Sequence, residues 1–315
     1  MFGFGNSSDN NAFSIAGKVA IVTGALGAIG KGLAVRLVQR GASVMLVDIQ
    51  HADTGAKFVQ EINDSVGSNQ RAAYLQVDLR TKEGIAQMFE ETVRQFGCVD
   101  ILINNAGVAS PNTLFGGNET FDNISTILAV NLQAPIEATR LLAKCVQERH
   151  NSNSNSNSNS NNGVKKQAKV NSAPATMAVV VNVASMAGLA PTAGAEVYGA
   201  AKAGLLHLTK SSASLAPLVR VSAVAPYFVR TPMVLDNPKH KNNKTIVPAL
   251  MLSVDQVCGA VEKCIVDPQS AGKVHALMGT AASTRVWLFE LAWIQVMVLA
   301  VWALVLSLIR RVVRS

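Results

Sequence analysis

An α/β protein built on a doubly wound parallel sheet, with helices on both faces and an apolar helix appended at the C-terminus, is what the sequence predicts. Three observations carry this. Short, almost wholly apolar runs alternate with longer amphipathic segments between residues 18 and 277, the pattern of strands buried on both faces and joined by crossover helices. The first run leads directly into a glycine-rich turn, Gly24-Ala-Leu-Gly-Ala-Ile-Gly30. Residues 291–309 hold only Gln295 and Ser307 as polar side chains, which sets them apart from everything before them.

The elements follow in chain order. Residues 18–23, Lys-Val-Ala-Ile-Val-Thr, form the first strand, and a helix opens near Ile29 and runs to residue 40. Strand, glycine-rich turn and helix N-terminus together aim backbone N–H groups and a positive dipole end at a diphosphate. Residues 43–48 form a second strand ending in Asp48, 24 residues beyond Gly24. A carboxylate there can accept ribose hydroxyl protons and repels a 2′-phosphate, which favours NAD over NADP; an ordinary carboxylate at a strand end is the other reading. A helix over 52–66, a strand over 72–77 ending at Asp78-Leu79, a helix over 82–96 and a strand over 99–103 come next. The last of these runs into Asn104-Asn105-Ala106-Gly107.

Residues 108–122 read as a loop rich in Pro, Gly and Asn, followed by a helix from about residue 124 that carries Asn131. An Asn-Ser repeat starting at residue 151 and a basic stretch to residue 169 cannot bury a core, and are expected to be a disordered insertion over 151–169. A buried strand over 179–183 places Ser185 at its end, and the helix beginning near Val197 puts Tyr198 and Lys202 one turn apart on one face. A hydroxyl, a phenol and an ammonium so arranged make an acid–base site, because a nearby positive charge favours the phenolate. Residues 219–224 and 272–277 read as the remaining strands, and 253–266 as a helix capped by Ser253.

Taken together, Thr23-Gly24 with Ala28 and Gly30, the Asn104-Asn105-Ala106-Gly107 run, Ser185, and Tyr198-x-x-x-Lys202 resemble the short-chain dehydrogenase/reductase family over residues 16–279. The resemblance implies a single Rossmann-type domain with strand order 3-2-1-4-5-6-7 and the cofactor at the strands' carboxyl ends. It implies Ser185, Tyr198, Lys202 and Asn131 as catalytic residues, with Asn131 supporting a proton relay; a helix-interior amide satisfied by local backbone is the alternative for Asn131. It further places Thr23, Gly24, Ala28, Ile29, Gly30, Asp48, Asp78, Leu79, Asn105, Ala106, Gly107, Tyr198, Lys202, Pro226, Val229 and Thr231 around NAD. Two positions depart from the family pattern. Ala28 stands where glycine is common, and Tyr227 follows Pro226 where the family has glycine, which either disturbs the nicotinamide geometry or gives the pocket an aromatic wall.

The implied reaction moves a hydride between NAD(H) and a secondary alcohol or ketone. The layout Val181-Asn-Val-Ala-Ser185 with Phe228-Val-Arg-Thr231 is most similar to hydroxyprostaglandin dehydrogenase-like members, which act on lipid alcohols with NAD. A scaffold that keeps the fold without turnover is the alternative. Family members commonly pair through the helices carrying Asn131 and Tyr198, so a homodimer is implied.

The net charge of +8 lies in loop and tail clusters without interleaved aromatics, which argues against a nucleic-acid partner. The four cysteines form no C-x-x-C pair, so neither a disulfide framework nor a zinc site is expected. Residues 1–15 lack the apolar run of a secretory signal and are expected to be a flexible arm. The apolar segment, taken as a helix over 286–309, is expected to anchor the protein in a membrane with the catalytic domain facing the cytosol: residues 291–309 would span about 28 Å, near the hydrocarbon thickness. A helix packed on the domain, or lying in the membrane plane, is the competing reading, since Arg310, Arg311 and Arg314 follow the span.

Overall fold

A computed structural model describes residues 12–66, 71–109, 114, 119–158, 176–236, 246–280 and 283–290. Seven strands form the parallel sheet: β1 (Val19–Thr23), β2 (Ser43–Asp48), β3 (Ala72–Gln76), β4 (Ile101–Asn104), β5 (Ala178–Val183), β6 (Val219–Pro226) and β7 (Val274–Thr280). An eighth, β8 (Ser283–Glu290), runs antiparallel along β7, and the order is β3-β2-β1-β4-β5-β6-β7-β8. The parallel part therefore has the expected topology.

Strand residues alternate between two apolar layers, as the two-residue period of a pleated strand requires. Ala20, Val22, Val44, Leu46, Ile101, Ile103, Val179 and Val181 pack on α1 (Ala28–Gln39), α2 (Ala52–Val66) and α8 (Val254–Val266). Ile21, Met45, Val47, Leu102, Val180 and Val221 face the other way, onto α3 (Lys82–Phe96) and α5 (Ala134–Ser158). Both faces of the sheet are covered, which is why its strands read as continuous apolar runs. Between β4 and α5 lie α4 (Phe121–Leu128), capped by Thr120, and a π-helical turn Ala129–Gln133 that contains Asn131. The helix α6 (Glu196–Ser211) follows β5, and the short α7 (Pro232–Leu235) follows β6.

Three expectations are corrected. Residues 12–15 are not a flexible arm, because Phe13 and Ile15 are buried in the core and the Phe13 ring lies 5.7 Å from the guanidinium of the buried Arg220. Residues 1–11 lie outside the described residues. The Asn-Ser repeat is not irregular from its start: α5 continues through it to Ser158, and the Ser152 hydroxyl bonds back to the Glu148 carbonyl at 2.9 Å. A helix already propagating adds one backbone bond for each residue fixed, so polar residues can extend it; residues 159–169 lie outside the described residues.

The predicted C-terminal helix fails at its beginning, where residues 286–290 belong to β8. Val286, Trp287, Leu288 and Phe289 are the β-branched, aromatic and aliphatic types that suit a pleated surface, and the outer edge of β7 offers unpaired backbone groups that a strand can satisfy. Among the described residues no helix is long and apolar enough to cross a membrane. The remainder of the expected anchor, 291–309, lies outside them.

Candidate active site

The carboxyl ends of β1, β4 and β2 meet around the glycine-rich turn. Gly24 has φ +61°, and a Cβ there would sit 2.8 Å from the Ala106 Cα; a Cβ on Gly30 would sit 2.2 Å from the Gly24 carbonyl oxygen. Neither position has room for a side chain, so turn, helix α1 and the start of the β4 loop are pressed backbone to backbone. The first turn of α1 has no side-chain cap and no acidic residue, which leaves the amides of Ala28, Ile29 and Gly30 and the positive helix end for an anion. Thr23 stitches the floor: its hydroxyl donates to the Ile103 carbonyl at 3.2 Å and accepts the N–H groups of Asn105 and Ala106 at 3.0 Å each. That uses the full capacity of a hydroxyl, so Thr23 positions the turn rather than contacting a ligand through its side chain. The Asn105 amide donates to the carbonyls of Thr23 and Gly24 at 2.8 and 3.1 Å.

Asp48 is buried at the end of β2, and its carboxylate accepts the N–H of Leu26 at 2.9 Å and of Gln50 at 3.2 Å. It therefore fastens the glycine-rich turn, with acceptor capacity remaining on a carboxylate that offers about four sites. Beside it stands Ile49, 59 % exposed and uncharged. Asp78, partly buried ahead of the buried Leu79, is held by the Arg80 side chain at 2.6–3.0 Å, which pulls its carboxyl below the usual range.

Ser185, Tyr198, Lys202 and Asn131 converge where β5 ends. The Ser185 hydroxyl accepts the Ala187 N–H at 3.1 Å, capping the 3₁₀ turn Met186–Gly188. A Cβ on Gly188 would lie 2.6 Å from the Lys202 carbonyl carbon, so this turn seats Ser185 directly against α6. The Lys202 amine is buried, donates to the Val183 carbonyl at 2.9 Å, and lies 5.7 Å from the Tyr198 ring centroid. Burial brings Lys202 down to about 8. Burial also raises the Tyr198 phenol, while a hydrogen bond with Ser185 works in the opposite direction. The expectation that Lys202 lowers the Tyr198 pKa is thus not met by these side chains alone: desolvation of the phenol is the larger effect. Asn131 is fully buried, donates to the Val108 carbonyl at 2.6 Å and accepts the Val108 N–H at 3.1 Å. Its side chain is a clasp on the loop leaving β4, 23 residues away in sequence, so its partner is tertiary and not the local backbone of its own helix.

On the far side of the cleft, Pro226 ends β6, Val229 bridges to Leu252, and the buried Thr231 precedes α7. Tyr227 directs its hydroxyl to the Val247 N–H at 3.1 Å and sets its ring edge-on to Phe228, 5.0 Å between centroids. The Arg230 guanidinium donates to the Pro248 carbonyl at 3.0 Å. The aromatic at position 227 therefore reaches along the chain that returns from residues 246–250, where exposed Met233, Leu235 and Val247 add apolar surface.

The family model described as short chain dehydrogenase matches residues 18–176 and 172–242. The chain belongs to the short-chain dehydrogenase family. Membership makes it an oxidoreductase acting on CH–OH groups. Among its relatives, the 15-hydroxyprostaglandin dehydrogenase [NAD(+)] of Rattus norvegicus is 32% identical over 230 residues, covering 72% of this chain and 73% of that protein. The 3-oxoacyl-[acyl-carrier-protein] reductase FabG of Vibrio cholerae is 30% identical over 262 residues, covering 82% and 93%. Of the solved structures, a 3-ketoacyl-(acyl-carrier-protein) reductase from Brucella melitensis complexed with NADH shares the fold at TM-score 0.68 and 24% identity, over 86% of this chain and 100% of that one.

In this family member several site-building residues escape a motif reading. Asn182 accepts from the Asn104 amide at 2.8 Å and donates to Thr209 at 2.9 Å, tying β4, β5 and α6 in the buried centre. Its signal was visible as one amide within Ala178-Val-Val-Val-Asn-Val183. Glu196 carries no such signal, because its partner Leu114 is 82 residues away in sequence.

Proposed function

We propose that the protein oxidises a secondary alcohol to a ketone with NAD, or runs the reverse reduction, on an apolar substrate. The single observation that carries this reading is the convergence of Ser185, Tyr198 and Lys202 at the end of β5, beside a glycine cradle closed by Asp48. The residues present fit a dinucleotide: a turn that a Cβ would fill, an uncapped helix N-terminus, and a buried carboxylate next to the uncharged Ile49. The relatives named for NAD support the same choice of cofactor. Bound there, a nicotinamide supplies the hydride acceptor or donor.

The chain's own groups handle the proton. Tyr198 exchanges it with the substrate oxygen, and Ser185 hydrogen-bonds that oxygen and the phenol. Lys202, brought near neutrality by burial, holds the nicotinamide ribose and returns protons toward Tyr198, with Asn131 supporting the relay by fixing the Val108 backbone. Gly24, Ala28, Ile29 and Gly30 take the diphosphate and Asp48 the ribose. Asp78 and Leu79 would hold the adenine, Asn105 to Gly107 would line the cofactor, and Pro226, Val229 and Thr231 would hold the carboxamide. Leu114, Met233, Leu235 and Val247 favour a hydrophobic alcohol. The test is hydride transfer by the purified chain, with NAD, across secondary alcohols of rising chain length. Tight NAD binding with no turnover on any of them sinks the enzymatic reading in favour of a scaffold.

We also propose that residues 291–309 attach the protein to a membrane, a reading supported by their sequence alone, and that two copies pair through α4, α5 and α6. Exposed Phe121, Leu128 and Ile136 support the second. Resistance to alkaline carbonate extraction, lost on truncation after Glu290, tests the first. Sedimentation of that truncated form as a monomer would exclude the second.

A further inference from the structure

We infer that Glu196 is a positioning residue that sets the substrate side of the cleft, by tying the loop after β4 to the loop after β5 with one carboxylate. The inference rests on the reading of Tyr198, two residues along the same helix, as the catalytic residue. One oxygen of Glu196 accepts the Gly194 N–H at 2.9 Å, and the other accepts the Leu114 N–H at 3.3 Å, 82 residues away in sequence. The first bond is what an acidic residue in the first turn of a helix ordinarily does. The second serves no helix, and it is the observation that carries the inference.

The two segments joined in this way are the one that follows the Asn105–Gly107 run and the one that follows Ser185. The loop after β4 starts at Asn105 to Gly107, is clasped at Val108 by Asn131, and reaches Glu196 at Leu114. The loop after β5 starts at Ser185 and returns to α6 through Gly194. Backbone N–H groups are the main cause holding the Glu196 carboxyl below the usual range, so it is an anion throughout the working range of the enzyme. Only an anion with two acceptor oxygens serves both loops. A glutamine retains one acceptor oxygen and presents an NH₂ to the other N–H, and an alanine retains neither.

Steady-state kinetics of the full chain with NAD and a secondary alcohol test this. In Glu196→Ala the KM for the alcohol rises about tenfold, as expected for one lost hydrogen bond to a charged group. Glu196→Gln falls between it and the parent, while kcat and the NAD dissociation constant stay within about twofold. Glu196→Asp keeps the charge but is one methylene shorter, so it cannot hold both N–H groups at once, and it raises KM as the alanine variant does. An unchanged KM in Glu196→Ala, or a joint loss of kcat and NAD affinity, would each overturn the assignment. Amide exchange at Leu114 gives a readout independent of turnover: protection falls at least about tenfold in Glu196→Ala if the link exists, and unchanged protection refutes it. Should no alcohol be turned over, the proposed function fails while the exchange measurement still decides the role of Glu196.

Discussion

The cofactor half of the cleft and the substrate half are held together by different means. On the cofactor side, backbone presses on backbone: Gly24 against Ala106, Gly30 against the Gly24 carbonyl, and the Thr23 hydroxyl saturated by three main-chain partners. On the substrate side, single side chains reach across open ground, with Glu196 holding Leu114, Tyr227 holding Val247 and Arg230 holding Pro248. A geometry fixed by many short contacts admits few residues, whereas one fixed by single reaching bonds can be re-aimed by one substitution. On the function proposed above, chemistry and cofactor choice sit in the first half, and substrate choice in the second.

The largest test of that division is Tyr198→Phe, which keeps the ring and removes the proton. Turnover is expected to fall by at least about a hundredfold, the contribution of a positioned acid–base group, with NAD affinity changed by only a few fold in a binding titration. Residual activity above about a tenth of the parent would separate Tyr198 from the chemistry. Next in size is cofactor choice. If Asp48 holds the ribose, with the uncharged Ile49 beside it, NAD is preferred over NADP at least about tenfold in kcat/KM, equivalent to about 1.4 kcal/mol. Asp48→Asn removes that preference and weakens both cofactors, since the Leu26 N–H loses its charged acceptor. Equal use of both cofactors by the parent would place Asp48 away from the ribose.

A smaller effect is expected on the other side. Tyr227→Phe loses the bond to the Val247 N–H, about 0.5–1.5 kcal/mol, and shifts the KM for bulky alcohols several fold without moving NAD affinity. A shift in NAD affinity instead would return position 227 to the nicotinamide. The last test reads stability and not turnover. An unfolded Lys202 keeps its proton up to the ordinary lysine value of 10.5, but the folded one only to about 8. Between those values the folded state binds fewer protons, so folding stability gains from this lysine as pH rises through that window, and the burial penalty is fully present below it. Thermal melts of the parent relative to Lys202→Met should therefore improve from about pH 8 to 10, and a flat difference would mean that the amine is solvated.

The sequence made the first half legible because its constraints are steric. Only glycine fits at Gly24 and Gly30, a strand buried on both faces must be apolar, and Tyr198 and Lys202 share a helix face by simple periodicity. The second half was less legible: Tyr227 stood out as a departure, but its Val247 partner did not, and Glu196 and Arg230 acquire meaning only from partners that the fold delivers, 82 residues off in the case of Leu114. Helix α5 running into the Asn-Ser repeat, and β8 where a helix was expected, were missed for a related reason. Composition ranks local preference, while a helix already growing and an unpaired sheet edge offer hydrogen bonds that outweigh it.

The direction of β8 carries a practical consequence. Its last residue, Glu290, lies opposite His275 near the start of β7, whereas the cleft opens beyond the other end of the parallel strands. Seven residues of β7 at about 3.3 Å each put roughly 20 Å between the two ends. Position 290 is thus a handle at the opposite pole of the domain. A reporter, a solid support or a second protein joined there hangs clear of the route by which dinucleotide and alcohol enter, and catalysis should be indifferent to the load.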